Sequence, residues 1–166
     1  MIKIKEELSK ITRQSNKFIE MCYKQEFSAI ELKIIELIIS KTTKADLELF
    51  KTNSNKKISL TAVELANKIN IHPNNIYSIA NDLSEKLINK NYIYKNPDEK
   101  RFIYQNFFVG FDYYQGVFNI NLNSFFIPYF VDINENFTNI NFQYIVALKS
   151  SYAIVLYKLL KQYQVI

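Results

Sequence analysis

The chain has 166 residues, one cysteine, one histidine and a formal net charge of +5. This composition excludes an internal disulfide framework and argues against zinc sites and catalytic triads, which need more cysteine or histidine. Two glycines, Gly110 and Gly116, are too few for the glycine-rich loops that bind nucleotide phosphates. We therefore predict no cofactor and no metal. The basic balance favours an anionic partner such as nucleic acid.

Membrane insertion and secretion are not expected. No stretch approaches the ~18 consecutive apolar residues of a membrane helix, and the N-terminus carries charge in every turn, unlike a signal peptide. The absence of a disulfide framework agrees with a reducing compartment. The sequence therefore predicts a cytoplasmic protein that does not bind a membrane.

The N-terminal part predicts two helices. The first covers residues 14–24, with Ser15 or Asn16 as cap and with Cys22 interpreted as a small core residue. The second begins after Ser28, which forms a capping-box pattern with Glu31. Its apolar residues fall on one helical face: Ile30, Ile34, Leu37 and Ile38. A polar loop over 41–57 and a short strand over 57–60 follow.

A helix-turn-helix is predicted over residues 62–81. Thr61 and Glu64 form a second capping box, and the helix they open ends near Asn70, which tolerates a left-handed backbone. Ala66 is small enough to let two helices cross closely, and Pro73 suits the start of the next helix. The predicted apolar contacts between the helices are Leu65, Ile69, Ile71, Ile76 and Ile79.

From Asn91 the apolar period changes from that of a helix to that of a strand. Strands are predicted over 91–95 and 101–114, joined by a turn at 96–100. A second hairpin is predicted to turn at Gln115 and Gly116, and Gly110 indicates a bulge or a close approach of another backbone. A short helix over 124–130, a loop over 132–141 and a helix over 146–166 complete the chain. This order predicts an α+β winged helix.

Outward residues near the start of the second helix of the motif are candidate base contacts. Asparagine can pair with adenine in the major groove, but a solvated capping face explains these side chains equally well, and arginine is absent. The candidates are Asn74, Asn75, Ser78 and Asn81.

The first predicted hairpin supplies candidate phosphate contacts, which position a protein on DNA without reading sequence. They are Lys95, Lys100 and Arg101, with Lys56 and Lys57 as secondary candidates. Lys86 and Lys90 are interpreted as solvated or phosphate-facing, and His72 as a structural residue of the turn.

The 12 tyrosines and 13 phenylalanines fall mostly on alternating strand positions or helix core faces. This placement favours core packing and a subunit interface over base stacking. The strands over 101–114 and 117–123 carry more apolar side chains than one sheet face needs. They therefore predict a two-fold homodimer built on the sheet.

Three stretches carry a resemblance to a known family: "SNKFIEMCYKQEFSAIELKIIELIIS", "ISLTAVELANKI" with "IYSIANDLSEKLINKNYI", and "FIPYF" with "NFTNINFQYIVALKSSYAIVLYKLLKQYQ". The most specific pattern is matched at Phe137, Thr138, Leu148, Lys149, Ser150, Tyr152, Ile154, Leu156, Tyr157, Leu159 and Leu160. Over nearly all of residues 12–164 the chain resembles the first winged-helix domain of iteron-binding plasmid replication initiators. It departs from the family at Val155, where arginine is usual, and at Lys158, where an acidic residue often stands.

The resemblance implies tandem winged helices in a bacterial, plasmid-associated protein. Its monomers would bind repeated origin sequences, called iterons, and start replication, while its dimers would repress their own gene at an operator. Double-stranded DNA and host replication proteins are the implied partners. Residues 1–12 would form an N-terminal extension and 13–166 the winged helix for dimerisation and backbone contact. We expect a second winged helix, which does most of the base reading, to continue past Ile166.

Two alternative functions are considered. A dimeric winged-helix repressor without a second domain would show the same local patterns. A rolling-circle nicking enzyme would use a tyrosine but also needs a metal held by paired histidines, and His72 has no partner histidine. We therefore predict a binding protein and not an enzyme.

Overall fold

The computed structural model describes residues 27–136. The helices predicted over 14–24 and 146–166, the boundary between residues 12 and 13 and the most specific family pattern lie outside the described residues. The chain divides into two compact units. In the described part, the first unit comprises 27–47, 68–70 and 127–136, and the second comprises 48–67 and 71–126.

Helix α1, Ala29–Ser40, belongs to the first unit and begins with the predicted capping box. The backbone N–H of Glu31 donates to Ser28 Oγ at 3.3 Å, and the Ser28 N–H donates back to the Glu31 carboxylate. Every residue from Glu31 to Ile39 is buried, so α1 is covered around its whole circumference. Burial lowers the pKa of Lys33 from its ordinary value, because the charged ammonium loses hydration.

The loop predicted over 41–57 contains ordered helix. A 3₁₀ turn at Lys44–Asp46 leads into helix α2, Leu47–Lys51. The Thr43 N–H donates to Asp46 Oδ2 at 2.9 Å, which closes a local cap. The pair Thr43 and Asp46, three positions apart, is a capping pattern that predicts a helical turn, although the segment as a whole is polar.

Helix α5, Ile127–Asn136, is longer than the predicted short helix, and its last turn replaces the start of the loop predicted over 132–141. The apolar face continues to Ile133, which is fully buried. Two polar residues of the last turn also have partners: Asn134 Nδ2 donates to the Thr42 carbonyl at 3.0 Å, and Glu135 pairs with Lys44 at 3.5 Å. These two contacts connect the polar end of α5 to the segment that follows α1.

In the second unit, a three-stranded antiparallel sheet has the order β1-β5-β4. Its strands are β1 Lys56–Thr61, β4 Phe108–Tyr114 and β5 Val117–Leu122. The predicted strand over 57–60 is confirmed. The predicted turn between β4 and β5 is confirmed too, since Gln115 and Gly116 take φ values of 48° and 76°, as a type I′ turn requires. The pairing register shifts between Phe108 and Gly110, which confirms the predicted bulge.

Strands β2, Asn91–Asn96, and β3, Arg101–Asn106, form a separate two-stranded antiparallel sheet. The prediction of one strand over 101–114 was wrong, because Phe107 divides it between the two sheets. The Phe107 N–H donates to the Lys90 carbonyl at 3.2 Å, and its carbonyl accepts from the Asn123 N–H at 2.9 Å. Its ring is buried 4.5 Å from that of Phe126. Because its N–H and carbonyl bond to residues outside β3 and β4, Phe107 belongs to neither strand.

Candidate nucleic-acid interface

The first helix of the helix-turn-helix is α3, Ala62–Ile69. Its predicted capping box is confirmed: the Glu64 N–H donates to Thr61 Oγ1 at 3.1 Å, and the Thr61 N–H donates to Glu64 Oε2 at 3.0 Å. Thr61 is also the last residue of β1, so the sheet fixes the direction in which the helix starts. The Ala62 N–H donates to the Gly116 carbonyl at 2.8 Å, which ties the start of α3 to the β4–β5 turn.

The turn that follows α3 uses the residues that the sequence predicted. Asn70 adopts a left-handed backbone with φ 56°, and the Ile71 N–H returns to the Ala66 carbonyl at 3.0 Å. This bond satisfies a carbonyl that the end of the helix leaves free. His72 Nδ1 accepts the Asn74 N–H at 3.2 Å, and Pro73 opens a 3₁₀ turn over Pro73–Asn75. The structural role predicted for His72 is thus visible as a cap.

Helix α4, Ile76–Leu87, is the second helix of the motif. Its buried residues are Ile76, Ala80, Leu83 and Leu87. Ile71 and Ile79, which were predicted to fasten the two helices together, are half-buried. The apolar stripe is thus narrower than the sequence predicted, and most of the circumference of α4 faces solvent.

All four candidate base contacts are exposed: Asn74, Asn75, Ser78 and Asn81. Helical spacing places Ser78 and Asn81 near one another on the outward side. The same side of α4 exposes the carboxylates Asp82 and Glu85, with Lys86 as a cation. This face is polar but not basic, and it offers amide and hydroxyl groups without an arginine.

Sequence reasoning missed Tyr77, which is 67% exposed on the same helix. Its ring contacts Tyr113 of β4 edge-on, with the ring centroids 5.6 Å apart. The signal was present, because Tyr77 follows Asn74 by three residues and precedes Asn81 by four, which is the spacing of one helical face. An aromatic side chain therefore stands among the candidate base contacts.

The β2–β3 hairpin carries the candidate phosphate contacts. Lys95, Lys100 and Arg101 are exposed, and none forms an ion pair with a described residue. Its turn is closed by the Lys100 N–H, which donates to the Pro97 carbonyl at 3.1 Å. Lys100 takes a left-handed backbone with φ 52°. The acidic residues of this hairpin lie in the turn itself: Asp98 and Glu99.

The secondary candidates lie at the start of β1. Lys57 is exposed, whereas Lys56 is half-buried. They belong to the other sheet, so the structure brings Lys95, Lys100 and Arg101 together on one hairpin and leaves these two lysines on another element. The primary set is therefore the better-defined cluster of cations.

One side of the β2–β3 hairpin, here called the hairpin face, is exposed and partly aromatic. It consists of Ile93, Lys95, Phe102 and Tyr104, because Ile93 lies opposite Tyr104 and Lys95 opposite Phe102. Its apolar side chains are exposed to solvent: Ile93 by 50%, Phe102 by 71% and Tyr104 by 51%. The prediction of core packing is wrong for these rings, while the prediction of a subunit interface stays a prediction. Alternation along β3 places both rings on one side of the hairpin, and tertiary packing, which the sequence does not reveal, decides whether that side is exposed.

An open cleft of about 500 Å³ lies beside this face. It is lined by Lys95, Pro97, Lys100, Arg101, Phe102 and Tyr104. The Phe102 and Tyr104 rings meet edge-on with centroids 5.7 Å apart, and Lys95 Nζ lies 5.7 Å from the centre of the Tyr104 ring. The cleft therefore combines cations and aromatic rings without a carboxylate.

The opposite side of the hairpin is the packed one. Tyr92 is buried and contacts Phe126 edge-on, with centroids 6.2 Å apart. Its burial, and then the neighbouring Tyr94, raise the pKa of the Tyr92 phenol, while the Arg101 guanidinium acts in the lowering direction. The hairpin thus has one buried and one exposed aromatic face.

Two kinds of feature are absent from residues 27–136. Within that range no helix has the length and apolar character needed to cross a membrane. Nor does that range bring together three or more histidine, cysteine, aspartate or glutamate side chains that could hold a metal ion.

A helix-turn-helix followed by antiparallel hairpins defines the winged-helix class of proteins. The chain matches the family model described as "Initiator Replication protein, WH1" over residues 11–161. It belongs to this family of replication initiators, which confirms the resemblance to their first winged-helix domain. Membership of this family implies DNA as a partner.

A solved structure supports the same fold. The X-ray crystal structure of the MSBI1.176 WH1 domain, a replication protein isolated from a multiple sclerosis patient, matches with 18% identity and a TM-score of 0.50. The match covers 75% of this chain and 94% of that one. The predicted α+β winged helix is thereby confirmed. No curated protein matches the chain.

Proposed function

We propose that this chain is the part of a plasmid replication initiator that contacts the DNA backbone and joins two copies of the protein. It would act on double-stranded DNA at origin iterons and at an operator, in the bacterial cytoplasm, with host replication proteins as further partners. The observation that carries the DNA contact is the cluster Lys95, Lys100 and Arg101, exposed on one hairpin without an ion-pair partner among the described residues. Such cations bind phosphates and set the register of a protein on a duplex.

The exposed side of α4 is proposed as a secondary contact. Asn74, Asn75, Ser78 and Asn81 can hydrogen-bond to base edges or to phosphate oxygens. The carboxylates of Asp82 and Glu85 on the same helix oppose close approach to phosphates. We therefore expect this helix to add little sequence preference, and the hairpin to supply most of the affinity.

Dimerisation is proposed at strand β4, which is an edge strand of the sheet in the described residues. Edge strands offer unpaired N–H and carbonyl groups, and natural proteins usually protect them with lysine or proline. In β4 the sole charged residue is Asp112, and Val109 is 49% exposed at the bulge. Pairing of two β4 edges about a two-fold axis would join the sheets of two copies.

The proposed role is binding and not catalysis. Nicking chemistry would need a metal held by paired histidines, and the chain has one histidine. The ring nitrogen Nδ1 of that residue, His72, already accepts a backbone N–H in the turn. A metal-dependent nuclease activity of the purified chain, lost on addition of EDTA, would contradict this assignment.

The DNA contact is tested by titrating iteron and scrambled duplexes with the 166-residue chain at about 50 and 200 mM salt. We expect Kd values near the non-specific range of ~10⁻⁴ to 10⁻⁶ M, with little preference between duplexes and a steep salt dependence. Nanomolar, iteron-selective binding would instead assign base reading to Asn74, Asn75 and Asn81.

The dimer is tested by analytical ultracentrifugation of a matched pair of variants. Val109→Lys places a charge on the β4 edge and should shift the protein towards monomer. Val63→Lys makes the same change at a valine of α3 that is 60% exposed, and it should leave the sedimentation unchanged. A wild-type protein that stays monomeric at high concentration would refute the dimer.

A further inference from the structure

The hairpin face is an exposed aromatic surface that duplex backbone contacts do not use. Phosphate contacts need Lys95, Lys100 and Arg101, but they give no reason for Phe102 to be 71% exposed or Tyr104 to be 51% exposed. Large apolar side chains in such positions lose the free energy that burial would provide, and adjacent ones mark a binding surface. The rings therefore need an occupant of their own.

We propose that the hairpin face binds single-stranded DNA by stacking unpaired bases on Phe102 and Tyr104. The two residues lie two positions apart on β3, so their side chains project from the same side of the strand. Their ring centroids are 5.7 Å apart. The rings meet edge-on, and an unpaired base can stack on the free face of such a ring whatever its sequence, because every base has a planar face.

The charges around the rings fit the phosphates of the same strand. Lys95 lies on the hairpin face itself, and Lys100 lines the cleft beside it together with the two rings. Arg101 also borders the cleft, but its guanidinium lies 6.0 Å from the Tyr94 ring on the other side of the hairpin. No carboxylate lines that cleft. A basic groove that follows the backbone, with aromatic rings beneath the bases, is the usual arrangement of sites for single strands.

Paired DNA does not satisfy the rings in the same way. In a duplex the faces of the bases are already stacked on their neighbours, and a protein must unstack them before a side chain can enter. Entry of the hairpin tip into a groove is further opposed by Asp98 and Glu99, which are exposed in the turn. The face, and not the tip, is therefore the binding surface.

A second copy of the chain fits the face less well than a single strand does. A two-fold contact would place the same patch against itself. It would bring Lys95 and Lys100 of one copy towards those of the other, and like charges across an interface oppose association. This inference goes beyond the proposed duplex contact and does not depend on dimerisation, although the three cations would serve either form of DNA.

The test uses the 166-residue chain and a labelled oligothymidylate of about 12 nucleotides, a length within the site sizes of known single-strand binders. Phe102→Leu keeps an apolar side chain but removes the planar ring. It should weaken binding about tenfold, which corresponds to ~1.4 kcal/mol. The control is Phe50→Leu, the same substitution at a phenylalanine of helix α2 that is 41% exposed and lies outside the proposed binding surfaces. That variant should bind within about twofold of wild type, a difference of less than ~0.5 kcal/mol.

A second variant gives a direct signal from the site. The chain has no tryptophan, so Phe102→Trp introduces a single indole fluorophore on the hairpin face. This variant should bind oligothymidylate at least as tightly as wild type, and its emission should be quenched as bases stack on the ring. Unchanged emission at saturation would overturn the proposal, as would an unchanged affinity of Phe102→Leu.

Duplex binding and sedimentation of the same variants separate this inference from the proposed function. We expect Phe102→Leu to bind duplex DNA and to sediment as wild type does. An equal loss for duplex and single strand would show that the ring serves duplex contact, and a shift towards monomer would identify the face as a subunit interface. Either result overturns the inference. A wild-type chain that binds oligothymidylate but no duplex would overturn the proposed duplex contact alone.

Discussion

The two sheets of the second unit use the same alternation of side chains for different purposes. In the sheet β1-β5-β4, the outward residues bond to one another across all three strands: Ser59 Oγ donates to Asn119 Oδ1 at 2.6 Å, and Asn119 Nδ2 donates to Asp112 Oδ1 at 2.7 Å. In the β2–β3 hairpin, the outward residues are aromatic, aliphatic and cationic. The larger sheet therefore satisfies these polar groups within itself, although Val109 and Tyr114 stay exposed, whereas the hairpin exposes mainly rings and cations.

The largest expected effect concerns the residue that separates the two sheets. Phe107→Ala should lower the free energy of unfolding by about 3–5 kcal/mol, because it removes a fully buried ring that is 1% exposed. The matched control is Phe102→Ala on the hairpin face, with an expected change within ~0.5 kcal/mol, as for other exposed positions. Urea unfolding of the two variants measures both. Similar losses would mean that the hairpin face is packed and not free.

The next effect concerns the cations of the hairpin. Lys100→Ala with Arg101→Ala should weaken binding to all duplexes about tenfold at low salt. The double variant should also reduce the slope of log Kd against log salt by roughly two units, because each of the two side chains neutralises one phosphate in the wild-type complex.

The control for that double variant is Lys44→Ala with Lys51→Ala, which removes the same charge from two lysines that are already in exposed ion pairs. It should change the slope little. Fluorescence anisotropy with iteron and scrambled duplexes measures both pairs. A loss confined to the iteron would identify the hairpin as a reader of sequence.

A smaller effect concerns the polar surface of the larger sheet. Asn119→Ala breaks the bonds to Ser59 and to Asp112, and it should lower the free energy of unfolding by about 1 kcal/mol, a typical net value for hydrogen bonds near solvent. Binding to single-stranded and double-stranded DNA should not change. A loss of DNA affinity equal to that of Lys100→Ala with Arg101→Ala would show that this surface is also a binding site.

The smallest effect is a dependence on alkaline pH. The raised pKa of Tyr92 means that the folded protein keeps the phenol proton at a pH where the unfolded chain, with a pKa near 10.0, releases it. The stability linked to this group is therefore complete below pH ~10 and is lost as the pH rises through the folded pKa, by at most ~1.4 kcal/mol per pH unit.

Tyr92→Phe should remove this contribution and flatten the fall in stability above pH ~10. Urea unfolding at several alkaline pH values measures it, with Tyr114→Phe as control for the substitution itself at an exposed site. An identical alkaline fall in wild type and Tyr92→Phe would contradict the linkage.

Features that depend on residues close together in sequence were predictable. The capping boxes at Ser28 and Thr61, the left-handed Asn70 and the turn at Gly116 each rest on interactions within a few positions, where residue type determines backbone geometry. For the same reason the helix-turn-helix was located correctly.

Features that depend on distant partners were not predictable. The break at Phe107 requires the carbonyl of Lys90 and the N–H of Asn123, neither of which a strand pattern reveals. The exposure of Phe102 and Tyr104 depends on which side of the hairpin is packed. The candidate contacts Asn74, Lys95 and Arg101 were located by residue type, and their role in DNA binding stays a prediction.

The central position of β5 has a consequence for the order in which the chain folds. Ser59 and Asn119, partners across β1 and β5, are 60 residues apart in sequence, and pairings so distant form late because a long loop must close first. During synthesis from the N-terminus, α3, α4 and the β2–β3 hairpin emerge before β5 does. The start of α3 then still lacks the Gly116 carbonyl to which its Ala62 N–H donates. A nascent chain that ends before β5 would therefore contain all of its candidate DNA contacts while the sheet β1-β5-β4 still lacks its central strand.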